Sequence, residues 1–197
     1  SQCYASWYAH VPGLKVISPW SSADAKGLLK SSIRDPNPII FLENELLYGQ
    51  SFELPDNHDF TLPIGKAKIE RVGSDVTIVA YSSMVNLALE AADILNSENI
   101  SAEVINLRTL RPLDIDTVIT SVEKTHRALV VEETWKTGGF AGEISSLIHE
   151  RAFDYLDAPV QRVAGEEVPA PYTSVLEDLA FPDAKRVIQS VRSLLSS

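Results

Sequence analysis

Apolar positions alternate with polar ones in two distinct rhythms along the chain, and the changes of rhythm mark its elements. After the start signal at 21–24, Leu28, Leu29 and Ile33 fall at helical spacing, which predicts a short amphipathic helix from near Ser22 that stops before Pro36. The runs LKVIS (14–18) and PIIFLE (38–43) on either side read as strands, so the first fifty residues form a strand–helix–strand parallel crossover. Two strands bury too little apolar surface to stand alone, and further strands of this unit are expected upstream of Ser1. From Leu47 to about Ile64 the chain turns to Gly, Pro, Asn and Asp with scattered aromatics, which reads as a linker between two domains. A second alternating pattern runs from about Gly65 to the end. Its strands are VTIVA (76–80), AEVIN (102–106), ALVVE (128–132) and VQRVA (160–164). Helices are predicted over Val85–Leu95, Asp114–Lys124, Phe140–Phe153 and Asp183–Leu195. The fold class is α/β, with an open, mainly parallel sheet covered by helices.

Composition narrows the partners. In 197 residues there are 27 acidic and 17 basic side chains, a formal net charge of −10, and no run of Lys or Arg that could neutralise successive phosphates, so nucleic acid is not an expected partner. No apolar stretch approaches the ~20 residues of a membrane helix, and no membrane partner is expected. One cysteine, Cys3, allows no internal disulfide and fits a reducing compartment. The chain opens at Ser1 without an initiator Met or a leader, as expected of a portion of a longer polypeptide.

Four features carry candidate chemistry. TGGFAG (137–142) sets glycines between a predicted strand and helix, where amides could receive an anion. The spacing is not G-x-G-x-x-G and no acidic ribose partner follows, which favours close packing of the helix on its strand or on a neighbouring subunit. The turn SSIRDPNP (31–38) combines helix-end carbonyls with two prolines that donate no N–H, a setting for a hard cation as well as for an ordinary helix stop. His10, His58, His126 and His149 have no metal or nucleophile spacing and read as surface or packing residues, His10 being nearest the expected ligand crevice. Glu43 and Glu45 in LENEL read as interface or solvent residues rather than an acid/base pair. The fourth feature, the acidic segment 154–160 with the proline-rich stretch that follows it, fits either a basic partner surface or a solvated loop.

The ordered runs SQCYASWYA (1–9), PGLKVISPW (12–20), IRDPNP (33–38), LENELLYG (42–49), IGKAKIER (64–71), VINLRTLRPLD (104–114) and LDAP (156–159) are similar to runs in the pyruvate dehydrogenase beta subunits, a family of thiamine-diphosphate-dependent 2-oxoacid dehydrogenases. The resemblance covers nearly the whole chain. It implies the end of a pyrimidine-binding domain over residues 1–46, a linker over 47–64 and a transketolase-type carboxy-terminal domain over 65–197. It places a potassium site at Ser32, Ile33, Asp35 and Asn37, with main-chain oxygens as ligands, and at Asp157 an anchor for the subunit-binding domain of a dihydrolipoyl acyltransferase. It also implies thiamine diphosphate shared with an alpha subunit in a two-alpha, two-beta heterotetramer, Mg2+ on the alpha subunit, and a mitochondrial matrix or bacterial cytoplasmic location. The cofactor-activating Glu and an active-site His belong upstream of Ser1, so no catalytic or cofactor-binding residue is assigned in this chain. The run WKTGGFA (135–141) is locally closer to branched-chain dehydrogenases, and a branched-chain or acetoin dehydrogenase beta subunit, or a non-catalytic docking fragment, is the alternative reading.

Overall fold

A computed structural model describes residues 3–196; Ser1 and Gln2, which begin the first family-like run, and Ser197 lie outside the described residues. In chain order the elements are α1 (Ala5–Ala9), β1 (Lys15–Ile17), α2 (Ser22–Arg34), β2 (Ile39–Phe41), a 3-10 turn (Glu45–Gly49), β3 (Lys68–Arg71), β4 (Val76–Ala80), α3 (Met84–Ser97), β5 (Ala102–Asn106), β6 (Thr109–Arg111), α4 (Ile115–Thr125), β7 (Ala128–Trp135), α5 (Phe140–Ala152), a second 3-10 turn (Phe153–Tyr155), β8 (Gln161–Gly165), α6 (Ser174–Ala180) and α7 (Ala184–Leu195).

The strand–helix–strand crossover is present: β1 and β2 are parallel, with Lys15 opposite Ile39 and Ile17 opposite Phe41. Between them α2 begins at a capping box, in which the Ser21 hydroxyl accepts the Asp24 amide at 3.1 Å and the Asp24 carboxylate accepts the Ser21 amide at 3.4 Å. The helix ends at Arg34 because Pro36 forces Asp35 out of the helical region. Of the segment expected as a linker, 47–64, residues 47–49 belong to the 3-10 turn and residues 50–64 have no helix or strand. It is nonetheless fastened to α2: the Leu62 amide donates to the Gly27 carbonyl at 3.2 Å, and the Ser31 hydroxyl donates to the Leu62 carbonyl at 2.5 Å. A Cβ on Gly27 would lie 2.7 Å from Leu62 Cγ, which accounts for a glycine inside a helix.

The larger sheet has the order β3-β5-β4-β7-β8, parallel except for β3, and matches the mainly parallel sheet expected from sequence. Successive β4 side chains face opposite layers. Val76, Ile78 and Ala80 pack with Ala88, Leu95, Val187 and Leu194 of α3 and α7, whereas Val79 and Tyr81 pack with Val118, Val122, Ile144 and Ile148 of α4 and α5. Thr77 also faces α4, and its hydroxyl is satisfied by those of Ser121 at 2.6 Å and Thr125 at 2.7 Å. The α4/α5 core continues into Ala5, Ala9 and Val16, so both halves of the chain share one interior.

One strand joins the two sheets. β6 follows β5 after only Leu107 and Arg108, then pairs antiparallel with β1, giving the small sheet the order β2-β1-β6. Neither β6 nor the short elements α1, β3 and α6 were anticipated from hydrophobic period, because three to seven residues hold too little of it. The join is pinned by a buried ion pair: Arg108 Nε donates to Asp24 Oδ1 at 2.7 Å, and Asn106 Nδ2 donates to Asp24 Oδ2 at 2.9 Å. Asp24 has no exposed surface. Removing it strands a largely buried guanidinium, and Asp24→Ala is expected to destabilise the intact chain by about 3 kcal/mol, read as a lower denaturation midpoint at unchanged m-value. A midpoint that does not move would show that the pin contributes nothing.

Candidate functional site

Open α/β sheets take ligands in the crevice at the carboxyl ends of the strands where the crossovers diverge. Here β4 is flanked by β5 on one side and β7 on the other, and the crevice lies beyond Ala80 and Val131. Tyr81, Ser82 and Ser83 leave β4 at that point, and Glu132 and Glu133 stand side by side on β7 with their side chains on opposite faces. The LENEL run enters the crevice. Asn44 Nδ2 donates to Glu133 Oε2 at 2.7 Å and approaches the Ser83 hydroxyl at 3.0 Å, while that hydroxyl donates to the same Glu133 oxygen at 3.2 Å. Burial raises the Glu133 carboxyl above its ordinary value, against the two hydrogen bonds that lower it. What remains is a cavity of about 200 Å³ bordered by Cys3, Tyr4, Leu42 and Tyr81, smaller than a usual ligand pocket. Burial pushes the Cys3 thiol up to about 11, which leaves it protonated and unsuited to nucleophilic attack.

On the other face Glu132 is completely buried. Its Oε2 accepts the Ala141 amide at 3.1 Å and the Tyr81 hydroxyl at 3.2 Å, whereas Oε1 has no hydrogen-bond partner among the described residues. The amino terminus of α5 therefore receives a carboxylate from its own sheet. A Cβ on Gly139 would stand 2.2 Å from Glu132 Oε1 and 2.6 Å from the Trp135 carbonyl, so Gly139 lets the helix close onto the strand, while Gly138, at φ 67°, makes the turn before it. The packing reading thus accounts for Gly139, and the Ala141 amide at the start of α5 is already taken by Glu132.

The other predicted residues lie apart from this crevice. At the end of α2, Lys15 Nζ contacts the Asp35 carboxylate, and Asp35 Oδ1 accepts the Asn37 amide at 2.9 Å and Asn37 Nδ2 at 2.7 Å. The Lys15 and Asn37 hydrogen bonds hold the Asp35 carboxyl down at about 2. The Ser32 hydroxyl donates to the Leu28 carbonyl at 2.7 Å, the Ser32 carbonyl accepts the Asp35 amide at 3.3 Å, and the Ile33 side chain is exposed. Asp157 lies at the opposite, amino-terminal edge of the large sheet. Its amide donates to the His126 carbonyl at 2.9 Å, and its half-exposed carboxylate pairs with Arg127 at 3.1 Å. His126 Nδ1 lies 2.9 Å from the Tyr155 carbonyl and His149 Nδ1 lies 2.7 Å from the Ser145 carbonyl, while exposed His10 borders a separate cavity of about 490 Å³ between α1 and α5. Among the described residues no three His, Cys, Asp or Glu side chains converge on a metal position, and no helix is long and apolar enough to cross a membrane.

Sequence reading passed over Glu132, Glu133 and Asn44. The available signal was the pair of adjacent acids following the apolar run 128–131, since both faces of such a strand are covered and an acid there is at least partly withdrawn from water. Burial raises the Glu132 carboxyl to about 7 against the Ala141 and Tyr81 hydrogen bonds. Between the ordinary carboxylate range and about 7 the folded chain binds the proton that the unfolded chain has released, so stability falls as pH rises through that window. Glu132→Gln is expected to remove a loss of about 2–3 kcal/mol and so raise the Tm at pH 8 relative to the parent. Parallel Tm–pH profiles of parent and variant between pH 5 and 8 would refute a buried titrating Glu132.

Comparison with known proteins places this geometry. The chain is 57% identical over 98% of its length to a protein of Oryza sativa subsp. japonica named pyruvate dehydrogenase E1 component subunit beta-2, mitochondrial, of which it covers 52%. It is 55% identical over 100% of its length to the mitochondrial E1 component subunit beta of Bos taurus, covering 56% of it, and 53% identical over 98% of its length to the E1 component subunit beta of Rhizobium meliloti, covering 42% of it. The chain thus spans about half the length of the curated relatives it matches. A split-gene transketolase solved as an inactive beta4 tetramer superposes with a TM-score of 0.79 at 24% identity, covering 98% of this chain and 60% of that one, a likeness of fold. Residues 1–50 match the transketolase pyrimidine-binding domain and residues 65–187 match the transketolase C-terminal domain, and the chain belongs to the transketolase family.

Proposed function

We propose that this chain is the carboxy-terminal part of the beta subunit of a pyruvate dehydrogenase, working with an alpha chain in a two-alpha, two-beta assembly in a mitochondrial matrix or bacterial cytoplasm. The observation that carries the reading is 53–57% identity, sustained over nearly the whole chain, to proteins named as that subunit. In the intact assembly thiamine diphosphate supplies the decarboxylating chemistry, with Mg2+ on the alpha chain, and the acyl group passes to a lipoyl acyltransferase. The test is thiamine-dependent decarboxylation of pyruvate by the full-length chain with its alpha chain and magnesium; turnover of branched-chain substrates in preference to pyruvate would overturn the substrate assignment.

Two sites belong to the same reading. Potassium suits the turn at 32–37, where α2 ends, Pro36 and Pro38 bring no N–H, and the Ser32 carbonyl keeps a lone pair beside its bond to the Asp35 amide. Because Lys15 and Asn37 occupy the Asp35 carboxylate, Asp35 stiffens the turn and the main-chain oxygens of Ser32, Ile33, Asp35 and Asn37 hold the ion. Asp35→Ala is expected to abolish a rise in Tm produced by K+ and not by Li+; a parent Tm indifferent to the two ions would remove the site. Asp157, half-exposed at the far edge of the sheet, suits a basic module of the acyltransferase. Asp157→Ala is expected to weaken capture of that module by about tenfold or more, measured by calorimetry, and unchanged affinity would assign the docking elsewhere.

A further inference from the structure

The central strand of the small sheet, β1, begins with a lysine. The Lys15 amide donates to the Pro38 carbonyl at 3.0 Å, and Lys15 lies opposite Ile39, so the strand holds this residue beside the turn in which α2 ends. Its Nζ contacts Asp35 Oδ2, and the two side chains are only 26% and 17% exposed. Charges covered to that degree are screened less by salt than charges in open solvent. Asp35 is the only acidic residue in the segment 31–38, and both of its oxygens are engaged: Oδ1 accepts the Asn37 amide at 2.9 Å and Asn37 Nδ2 at 2.7 Å, while Oδ2 takes the lysine. Arg34, the neighbouring cation, reaches instead toward exposed Asp59 at 3.5 Å.

The sum of these charges decides what the turn can hold. An oxygen site gains affinity for Ca2+ with each carboxylate it offers, and neutral carbonyls alone are a poor match to a divalent ion. With the Lys15 ammonium against it, the Asp35 carboxylate contributes no net charge, and the turn is left with its main-chain oxygens. A monovalent ion is served by such a shell; a divalent ion would need the carboxylate free. An ion pair that only braced the turn would lose stability when the lysine is removed and gain no ligand. A pair that masks the carboxylate would gain one.

We propose that Lys15 is the residue that confines the turn at 32–37 to monovalent cations: its ammonium is a built-in counter-charge to Asp35 and keeps divalent ions out. The inference rests on the cation reading of this turn given above, and Lys15 acts through Asp35 rather than by touching the bound ion.

The test is Ca2+ binding to the full-length assembly, counted per copy of this chain by equilibrium dialysis at saturating Mg2+ and thiamine diphosphate. Lys15→Met keeps most of the side-chain stem and removes its charge. It is expected to bind one Ca2+ more than the parent, with a Kd on the order of 1 mM. Lys15→Arg, which keeps the charge, is expected to match the parent, and adding Asp35→Asn to Lys15→Met is expected to remove the extra ion. Lys15→Gln is a second neutral variant, and circular dichroism checks the fold of each. An extra Ca2+ that is missing from both neutral variants, or that survives Asp35→Asn, overturns the proposal, as does a Ca2+ in the parent that K+ displaces. A parent whose Tm ignores K+ while Lys15→Met gains its Ca2+ would remove the potassium reading and leave the masking by Lys15 standing. A parent stabilised by K+, beside neutral variants that gain no Ca2+, would remove the role of Lys15 alone.

Discussion

The step from β5 to β6 is the constraint on which the molecule turns. Two residues carry the chain from an inner strand of one sheet to the edge of another. Leu107 is buried in the shared core, and Arg108 adopts φ 60°, a left-handed conformation that costs a non-glycine residue about 1 kcal/mol. The cost is offset on all sides: the Arg108 amide donates to Asn106 Oδ1 at 3.1 Å, its carbonyl accepts the Ser18 amide at 2.9 Å, and its guanidinium reaches Asp24. The same Asp24 closes the capping box of α2, so one buried carboxylate sets the start of a helix in one half and the exit of a strand in the other. With this step in place β6 can pair with β1, and α1 and β1 can share the α4/α5 core.

That connection explains why the crevice at the ends of β4 and β7 is not an open pocket. Once β1 and β2 are fixed against the large sheet, the LENEL run following β2 falls over the crevice and Asn44 meets Glu133 and Ser83. The favoured ligand position of the fold has become a contact between its two parts. Glu132, on the opposite face of the same strand, accepts the Ala141 amide at the amino terminus of α5. Both acids are thus engaged within the chain, Glu133 by Asn44 and Ser83 and Glu132 by Tyr81 and the Ala141 amide.

Most of this order was readable in the sequence, and the exceptions share a cause. Elements with several turns or a full alternating run, such as α2, α3, α4, α7 and β4, announced themselves to within one or two residues because their burial repeats along the chain. The capping signal at 21–24 was read correctly because it is a local interaction between residues three apart. Packing accounts for Gly139 among the glycines at 137–142, but the residue it packs against, Glu132, was invisible as a site because a strand pattern records which positions are buried and not what a buried acid will meet.

The sequence by itself determined the α/β class, the alternation of strands and helices, the overall acidity and the family likeness, since each of these is written in composition, period or motif order. Tertiary structure decided the rest. Which strand would complete the small sheet, that Asp24 would meet Arg108 across 84 positions, that Asn44 would close the crevice over Glu133, and that α6 would leave its apolar face to solvent all depend on side chains far apart in the chain. Hydrophobic period fixes which face of an element turns inward, whereas the partner it finds there is set only when the layers assemble around a common core.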